Sequence, residues 1–219
     1  LVLCVTAALI FGGGVVFFIL EHNNPATMGN LTLGGKIWAS IFQSVTLRTA
    51  GFASIDQGGL RTGSLLLGCV LMFIGGSPGG TAGGVKTVTV TLLACAVLAI
   101  VNGHEDVELG HRRVKMENVM KGICVILLQV FFLVISTFAL CCIESDIPFI
   151  QIMYETFSAL GTVGLTMGIT EGLSVAGRLV LIASMYFGRL GPITMAMIMN
   201  VNGNKKKIHR RLPDGKVFI

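Results

Sequence analysis

The sequence is short of charge. Asp, Glu, Lys and Arg make up 12% of its 219 residues, 53% are hydrophobic, and the mean hydropathy is +0.82. A soluble domain of this length needs far less apolar material to fill one core, so the composition is that of a membrane protein. Metal-binding patterns are missing too. Cys4, Cys69, Cys95, Cys124, Cys141 and Cys142 lie in or at the edge of apolar runs without the spacing of a zinc site, where Cys packs as a small hydrophobe. No His lies in the interior of an apolar run, His104 standing at the end of one, and no two runs carry facing acids, which leaves catalysis within the membrane without a nucleophile and base or an acid pair. His104, Glu105, Asp106, Glu108 and His111 are the nearest approach to a metal-ligating group, and they read as a solvated linker.

What is present is length without charge. Residues 1–20, 62–85, 87–104 and 122–143 contain no Asp, Glu, Lys or Arg, and residues 179–199 contain only Arg189. Each run is close to the roughly 20 residues that cross about 30 Å of hydrocarbon as a helix. A secretory signal is shorter and ends in a small-residue cleavage site, so residues 1–20 read as a spanning helix. The first residue is Leu, already inside that helix, and the chain is expected to be the C-terminal part of a longer protein.

Basic residues orient the runs. Arg112, Arg113, Lys115 and Lys121 lie between residues 102 and 121. Lys205, Lys206, Lys207, Arg210, Arg211 and Lys216 lie in the tail, which brings the two segments to ten of the sixteen Lys plus Arg. Both should be cytoplasmic, with residues 21–61 and 144–178 outside. The net charge of +5 follows mostly from topology, and nucleic-acid binding is not implied. The tail is still suited to anionic lipid or an acidic partner.

The outer segments are not polar loops. "KIWASIFQSVTLRTAGF", from Lys36, has Ile37, Ile41 and Val45 at spacings of four and ends in Thr49-Ala50-Gly51-Phe52. "PFIQIMYETFSALGTVGL", with Pro148 at the first helical position, ends in Thr162-Val163-Gly164-Leu165. The two match over a period of about 113 residues as spanning helix, short helix with loop, and spanning helix. Non-helical backbone at membrane depth is tolerated where protein buries it or where it lines a wet path. Extended backbone after a short helix offers a column of carbonyl oxygens that replace the water around an alkali cation, Gly supplies φ angles forbidden to other residues, and the Thr hydroxyl adds one more oxygen. Arg48, beside Thr49, reads as half of a salt bridge behind this backbone with Glu155 or Asp56, and Glu21, His22, Asn23 and Asn24 as a solvated outer loop.

Between the matched segments lies "GGSPGGTAGGVKT", residues 75–87, which looks at first like a phosphate cradle. Such a loop needs Gly directly before Lys, whereas here Val85 separates Gly84 from Lys86. Residues 62–101 would measure roughly 60 Å as one straight helix, twice the bilayer, so the helix must break. The six Gly and Pro78 place that break near mid-membrane, where irregular backbone should line the permeation path. A static kink for close packing is the alternative.

The runs "FQSVTLRTAGF", "FSALGTVGLTMGIT", "FIGGSPGGTAGGVKT" and "MYFGRLGP" resemble, in order and spacing, the third and fourth repeats of the Trk/Ktr/HKT superfamily of potassium transporters, in particular the membrane subunit of bacterial Ktr systems. The resemblance implies an all-α membrane protein with two helix, pore-helix-loop, helix repeats of a potassium-channel-like pore. The third repeat would be residues 1–101 (helix 1–20, pore helix and filter 36–52, broken helix 62–101), followed by a cytoplasmic linker at 102–118. The fourth would be 119–202 (helix 119–143, pore helix and filter 148–165, helix 178–200), with a basic tail at 203–219. Thr49, Ala50, Gly51 and Phe52, and Thr162, Val163, Gly164 and Leu165, would be two of four filter strands for K+. Gly75, Gly76, Ser77, Pro78, Gly79, Gly80, Thr81, Ala82, Gly83, Gly84 and Lys86 would be a gate loop below them, with Lys86 either repelling cations or lying in the vestibule. Arg189, costly at its depth in the membrane, would face the cavity and bond to carbonyls of that loop. The resemblance further implies potassium uptake without a bound cofactor, with Na+ open as an activator, a homodimer in the bacterial plasma membrane with a cytoplasmic C-terminus, and a cytoplasmic nucleotide-binding ring that senses ATP or ADP. A Trk-type proton- or sodium-linked transporter, a non-conducting assembly subunit and a membrane enzyme are the alternatives.

Overall fold

A computed structural model describes residues 2–79, 82–103, 107–109 and 112–191. Two helices, α1 (Val2–Glu21) and α5 (Met116–Ile143), are long and apolar enough to cross a membrane. Each is followed by a short helix, α2 (Leu33–Thr46) after α1 and α6 (Phe149–Leu160) after α5, and then by further helix. After α2 the chain continues as α3 (Thr62–Phe73), an irregular stretch, and α4 (Thr87–Val101); after α6 it continues as α7 (Val175–Leu190). The predicted break in residues 62–101 is therefore real. Phe73 ends one helix and Thr87 begins the next, and at about 18 and 22 Å neither half reaches across a bilayer alone.

The first short helix, α2, is inside out relative to a helix of a water-soluble domain, whereas α6 buries Ile152, Tyr154, Ala159 and Leu160 together with Glu155, Thr156 and Ser158. In α2 the buried residues are Ser40, Gln43, Ser44 and Thr46, while Leu33, Ile37, Trp38, Phe42 and Val45 are exposed. An amphipathic helix in water turns its apolar stripe inward. Here Ser44 Oγ donates to the Leu9 carbonyl at 3.1 Å, and the approach of α2 to α1 depends on Gly13, where a Cβ would lie 2.4 Å from Ser44 Oγ. Apolar side chains are likewise exposed along both long helices, among them Phe11, Leu127 and Phe138, as hydrocarbon surroundings require. The main core runs between the repeats, where Phe17, Met28, Leu47, Leu65 and Met72 pack around Tyr154 of α6.

Several boundaries differ from the expected ones for local reasons. Thr32 caps α2, its hydroxyl accepting from Gly35 N at 3.3 Å, so the helix starts three residues before Lys36. Ser174 caps α7 in the same way, and Gly191, at φ +79°, ends it one residue before Pro192. Residues 192–200 of the expected helix at 178–200, and the tail at 203–219, lie outside the described residues. Pro148 sits at the N-cap of α6 and not inside it. The expected linker at 102–118 holds a two-stranded antiparallel hairpin, β1 (Val107–Leu109) and β2 (Arg112–Val114). Val107 and Val114 pair across it, and Val107 is buried against Leu92, Ala96 and Val119. The helix α5 then begins at Met116, extended by a Glu117–Lys121 ion pair of 2.6 Å one turn apart.

Of the residues expected in a solvated outer loop after α1, Asn23 is exposed but Glu21 and Asn24 are buried. Glu21 is fully buried, and its carboxylate accepts from Asn24 Nδ2 at 2.6 Å, Thr27 Oγ1 at 2.7 Å, Arg61 N at 2.9 Å and the Ser64 hydroxyl. It thereby ties the end of α1 to the start of α3. Glu144, at the end of α5, does the same for α7, accepting from Ser174 N at 2.9 Å and from the Ser174 hydroxyl. A carboxylate on free N–H groups at a helix start complements the helix dipole, and the duplicated architecture uses that joint in both halves.

Candidate functional site

The two Thr-x-Gly segments share a backbone conformation. Thr49 has φ +71° and Gly51 +78°; Thr162 has φ +52° and Gly164 +93°. Among the described residues these two threonines are the only non-glycines with positive φ. A left-handed Thr is strained, at about 1 to 3 kcal/mol, and persists only where its surroundings fix it. The ends of the short helices hold the strands in place. Ala50 N and Gly51 N donate to the Thr46 carbonyl, the Thr46 hydroxyl donates to Phe52 O at 2.6 Å, and it accepts from Phe52 N at 2.8 Å. In the second segment Val163 N donates to Ser158 O at 2.9 Å and Thr162 N to Ala159 O at 3.0 Å.

The strands meet. A Cβ on Gly51 would stand 2.2 Å from the Val163 carbonyl oxygen and 3.6 Å from Gly164 Cα, so only glycine fits there. They are not equivalent on their outer side, since Phe52 is 71% exposed whereas Leu165 is 2% exposed within the main core.

The glycine-rich stretch lies directly against both threonines. Gly83 N donates to Thr162 Oγ1 at 3.1 Å, and a Cβ on Gly76 would lie 3.9 Å from Thr49 Oγ1. The loop closes on itself through Val85 N to Phe73 O at 3.0 Å and Thr87 N to Gly76 O at 3.2 Å. Gly79 and Gly84 take left-handed φ, and Lys86 Nζ donates to the Ala82 carbonyl, so the ammonium serves the loop's own backbone. Gly80 and Thr81 lie outside the described residues.

A family model described as TrkH, cation transport protein, matches residues 1–210. The chain belongs to this family. It is 41% identical over 201 residues to Ktr system potassium uptake protein B of Bacillus subtilis, a match covering 92% of this chain and 44% of that protein. Potassium/sodium uptake protein NtpJ of Enterococcus hirae is 35% identical over 222 residues, covering 99% of this chain and 49% of the relative. The crystal structure of the potassium transporter TrkH from Vibrio parahaemolyticus shares the fold with a TM-score of 0.73 at 18% identity, over 92% of this chain and 44% of that one. The chain therefore spans about half the length of the curated relatives it matches. All-helical architecture with pore-helix repeats and membrane residence follow from the family, the fold and the two long apolar helices.

Within this TrkH-family chain the described residues of the two Thr-x-Gly segments and of the glycine-rich loop lie in one neighbourhood, and one expected ion pair is replaced. Arg48 forms no ion pair with Glu155 or Asp56. Its Nη2 donates to the Gly75 carbonyl at 3.4 Å, while Nε is buried without a partner. Glu155 accepts instead from the Thr166 hydroxyl and from Thr170 Oγ1 at 3.1 Å, and Asp56 from Gly58 N at 3.1 Å. Hydroxyl and main-chain partners take the place of the charge pairing that the sequence suggested. Arg189, in the last turn of α7, lines an open cavity of about 700 Å³ together with residues 162–166 and Glu155, on the second strand's side of the loop. The bracketing hydroxyl of Thr46 went unnoticed in the sequence, where a Thr three residues before Thr49 carries no signal of its own. No group of three metal-ligating side chains occurs among the described residues.

Proposed function

We propose that this chain supplies two of the four strands of a potassium-selective filter in a membrane uptake system, together with the intramembrane loop that closes it. The observation that carries the reading is the pair of Thr-x-Gly segments with left-handed Thr and Gly, 113 residues apart and in backbone contact at Gly51. Stacked neutral oxygens suit a hard monovalent cation, and four such strands ring one ion. The strands would be Thr49, Ala50, Gly51 and Phe52, and Thr162, Val163, Gly164 and Leu165. Residues 75–86 would be the gate, held closed by Gly83 on Thr162 and by Arg48 on Gly75. Arg189, on the same cavity, would be a second cationic barrier to the ion. The names of the B. subtilis and E. hirae relatives, potassium uptake and potassium/sodium uptake, support this substrate class. The second of them keeps sodium-linked transport as the other reading.

The chain would act as a transporter and not as an enzyme, spanning the membrane several times. Basic residues 112–121 and the C-terminus would be cytoplasmic, as the positive-inside rule orders them. Pairing of two copies, and regulation by a cytoplasmic nucleotide-binding ring reached through residues 102–121 and the tail, extend the same reading.

Rubidium uptake by the full-length protein in vesicles, with sodium varied, tests it. Gly51→Ser should lower the preference for Rb+ over Na+ at least tenfold, because its Cβ strikes the Val163 carbonyl, and Gly164→Ser should lower it less, since that Cβ would meet only Gly51 Cα at 4.0 Å. Unchanged selectivity in both variants would remove the filter assignment.

A further inference from the structure

One buried polar network belongs to neither the filter nor the gate, and it joins the two repeats. Gln43 lies on α2, Gln57 on the segment that follows the first filter strand, and Tyr154 on α6; their exposures are 0%, 2% and 0%. Gln57 Oε1 accepts from Gln43 Nε2 at 2.6 Å and from the Tyr154 hydroxyl at 2.8 Å. Gln57 Nε2 donates to Ile55 O at 2.8 Å and to Gln43 Oε1 at 3.3 Å. Both lone pairs and both donors of the Gln57 amide are thus used.

A core position that is otherwise apolar does not keep three polar side chains without cost. Phe17, Met28, Leu47 and Met72 surround Tyr154, and apolar residues at the three positions would fill the same space. What the network adds is direction. A fully satisfied set of hydrogen bonds in low dielectric has one geometry, whereas apolar packing tolerates sliding. Gln57 is six residues after Gly51, and Gln43 is three before Thr46, whose hydroxyl brackets Phe52, so the network grips the first strand from both ends. Its third anchor, Tyr154, stands on the helix that carries the second strand. The end of the second strand has a side-chain anchor in its own repeat, Glu155 on Thr166 and Thr170.

We infer that Tyr154, through Gln57 and Gln43, is a positioning residue that sets the first filter strand against the second and thereby determines ion selectivity. The inference rests on the filter reading above. Tyr154→Phe in the full-length protein removes one oxygen atom and keeps the ring. Gln43→Met cuts the same amide from its other side. Tyr186→Phe, at the exposed second tyrosine, is the control. Uptake of Rb+ and Na+ into vesicles gives a ratio independent of protein amount, and melting in detergent reports folding. Tyr154→Phe should lower the Rb+/Na+ ratio about fivefold, the factor that one buried hydrogen bond commands in an equilibrium, with the control unmoved. An unchanged ratio in both network variants, or loss of folded protein from both, makes the network a packing feature and overturns the inference. Should Gly51→Ser shift the ratio while Tyr154→Phe does not, the positioning role alone fails; should neither shift it, the filter reading fails as well.

Discussion

At the scale of single residues, the site depends on groups that a sequence does not spell. Thr49 and Thr162 were visible as a repeated motif, but their left-handed φ is a property of the folded chain. Arg48 is the clearest case. A charge beside the proposed filter calls for a carboxylate partner, and two were candidates, Asp56 close in sequence and Glu155 in the matched segment, yet the guanidinium went to a main-chain carbonyl, an acceptor that every residue carries and no pattern reveals. Arg48→Ala is expected to free Gly75 and raise Rb+ flux in vesicles several-fold without altering selectivity, a gate effect set apart from the filter effect of Gly51→Ser. Arg189→Gln, on the other side of the loop, should also raise flux; flux unchanged or lost in either variant removes that arginine from the gate.

At the scale of elements, the fold was legible wherever length or glycine content forced it. Forty residues at 62–101 are too many for one crossing, and the structure breaks them at Phe73. The inside-out helix α2 was legible only as a periodic apolar stripe, because periodicity states that a helix has two faces and not which one lies inward. The strand pair at 107–109 and 112–114 escaped notice since three-residue strands leave almost no pattern, and the joints at Glu21 and Glu144 because an acid at a helix end reads as solvated. Those joints differ in depth. Glu21→Ala strands four donors in a buried site and should cost about 3 kcal/mol, whereas Glu144→Ala, acting on the exposed Ser174, should cost about 1 kcal/mol. Thermal melting in detergent compares the two, and equal losses would contradict the difference in burial.

At the scale of the whole molecule, the two repeats share one core around Tyr154, and the surface they present is largely apolar. Orientation has a direct check. Gly58→Cys should react with an impermeant maleimide in intact cells, and Arg113→Cys only after permeabilisation; the opposite pattern would invert the topology. One contact has a further consequence. The Thr162 hydroxyl that would face the ion already accepts the Gly83 N–H of the loop. A cation and an amide proton on the same oxygen repel each other, so ion occupancy there and loop closure would disfavour one another. On the filter reading, linkage would make the ion its own effector: ion binding at Thr162 would loosen the loop by the same factor by which opening the loop tightens ion binding, and Gly83 would exchange its amide proton faster as the Rb+ concentration rises.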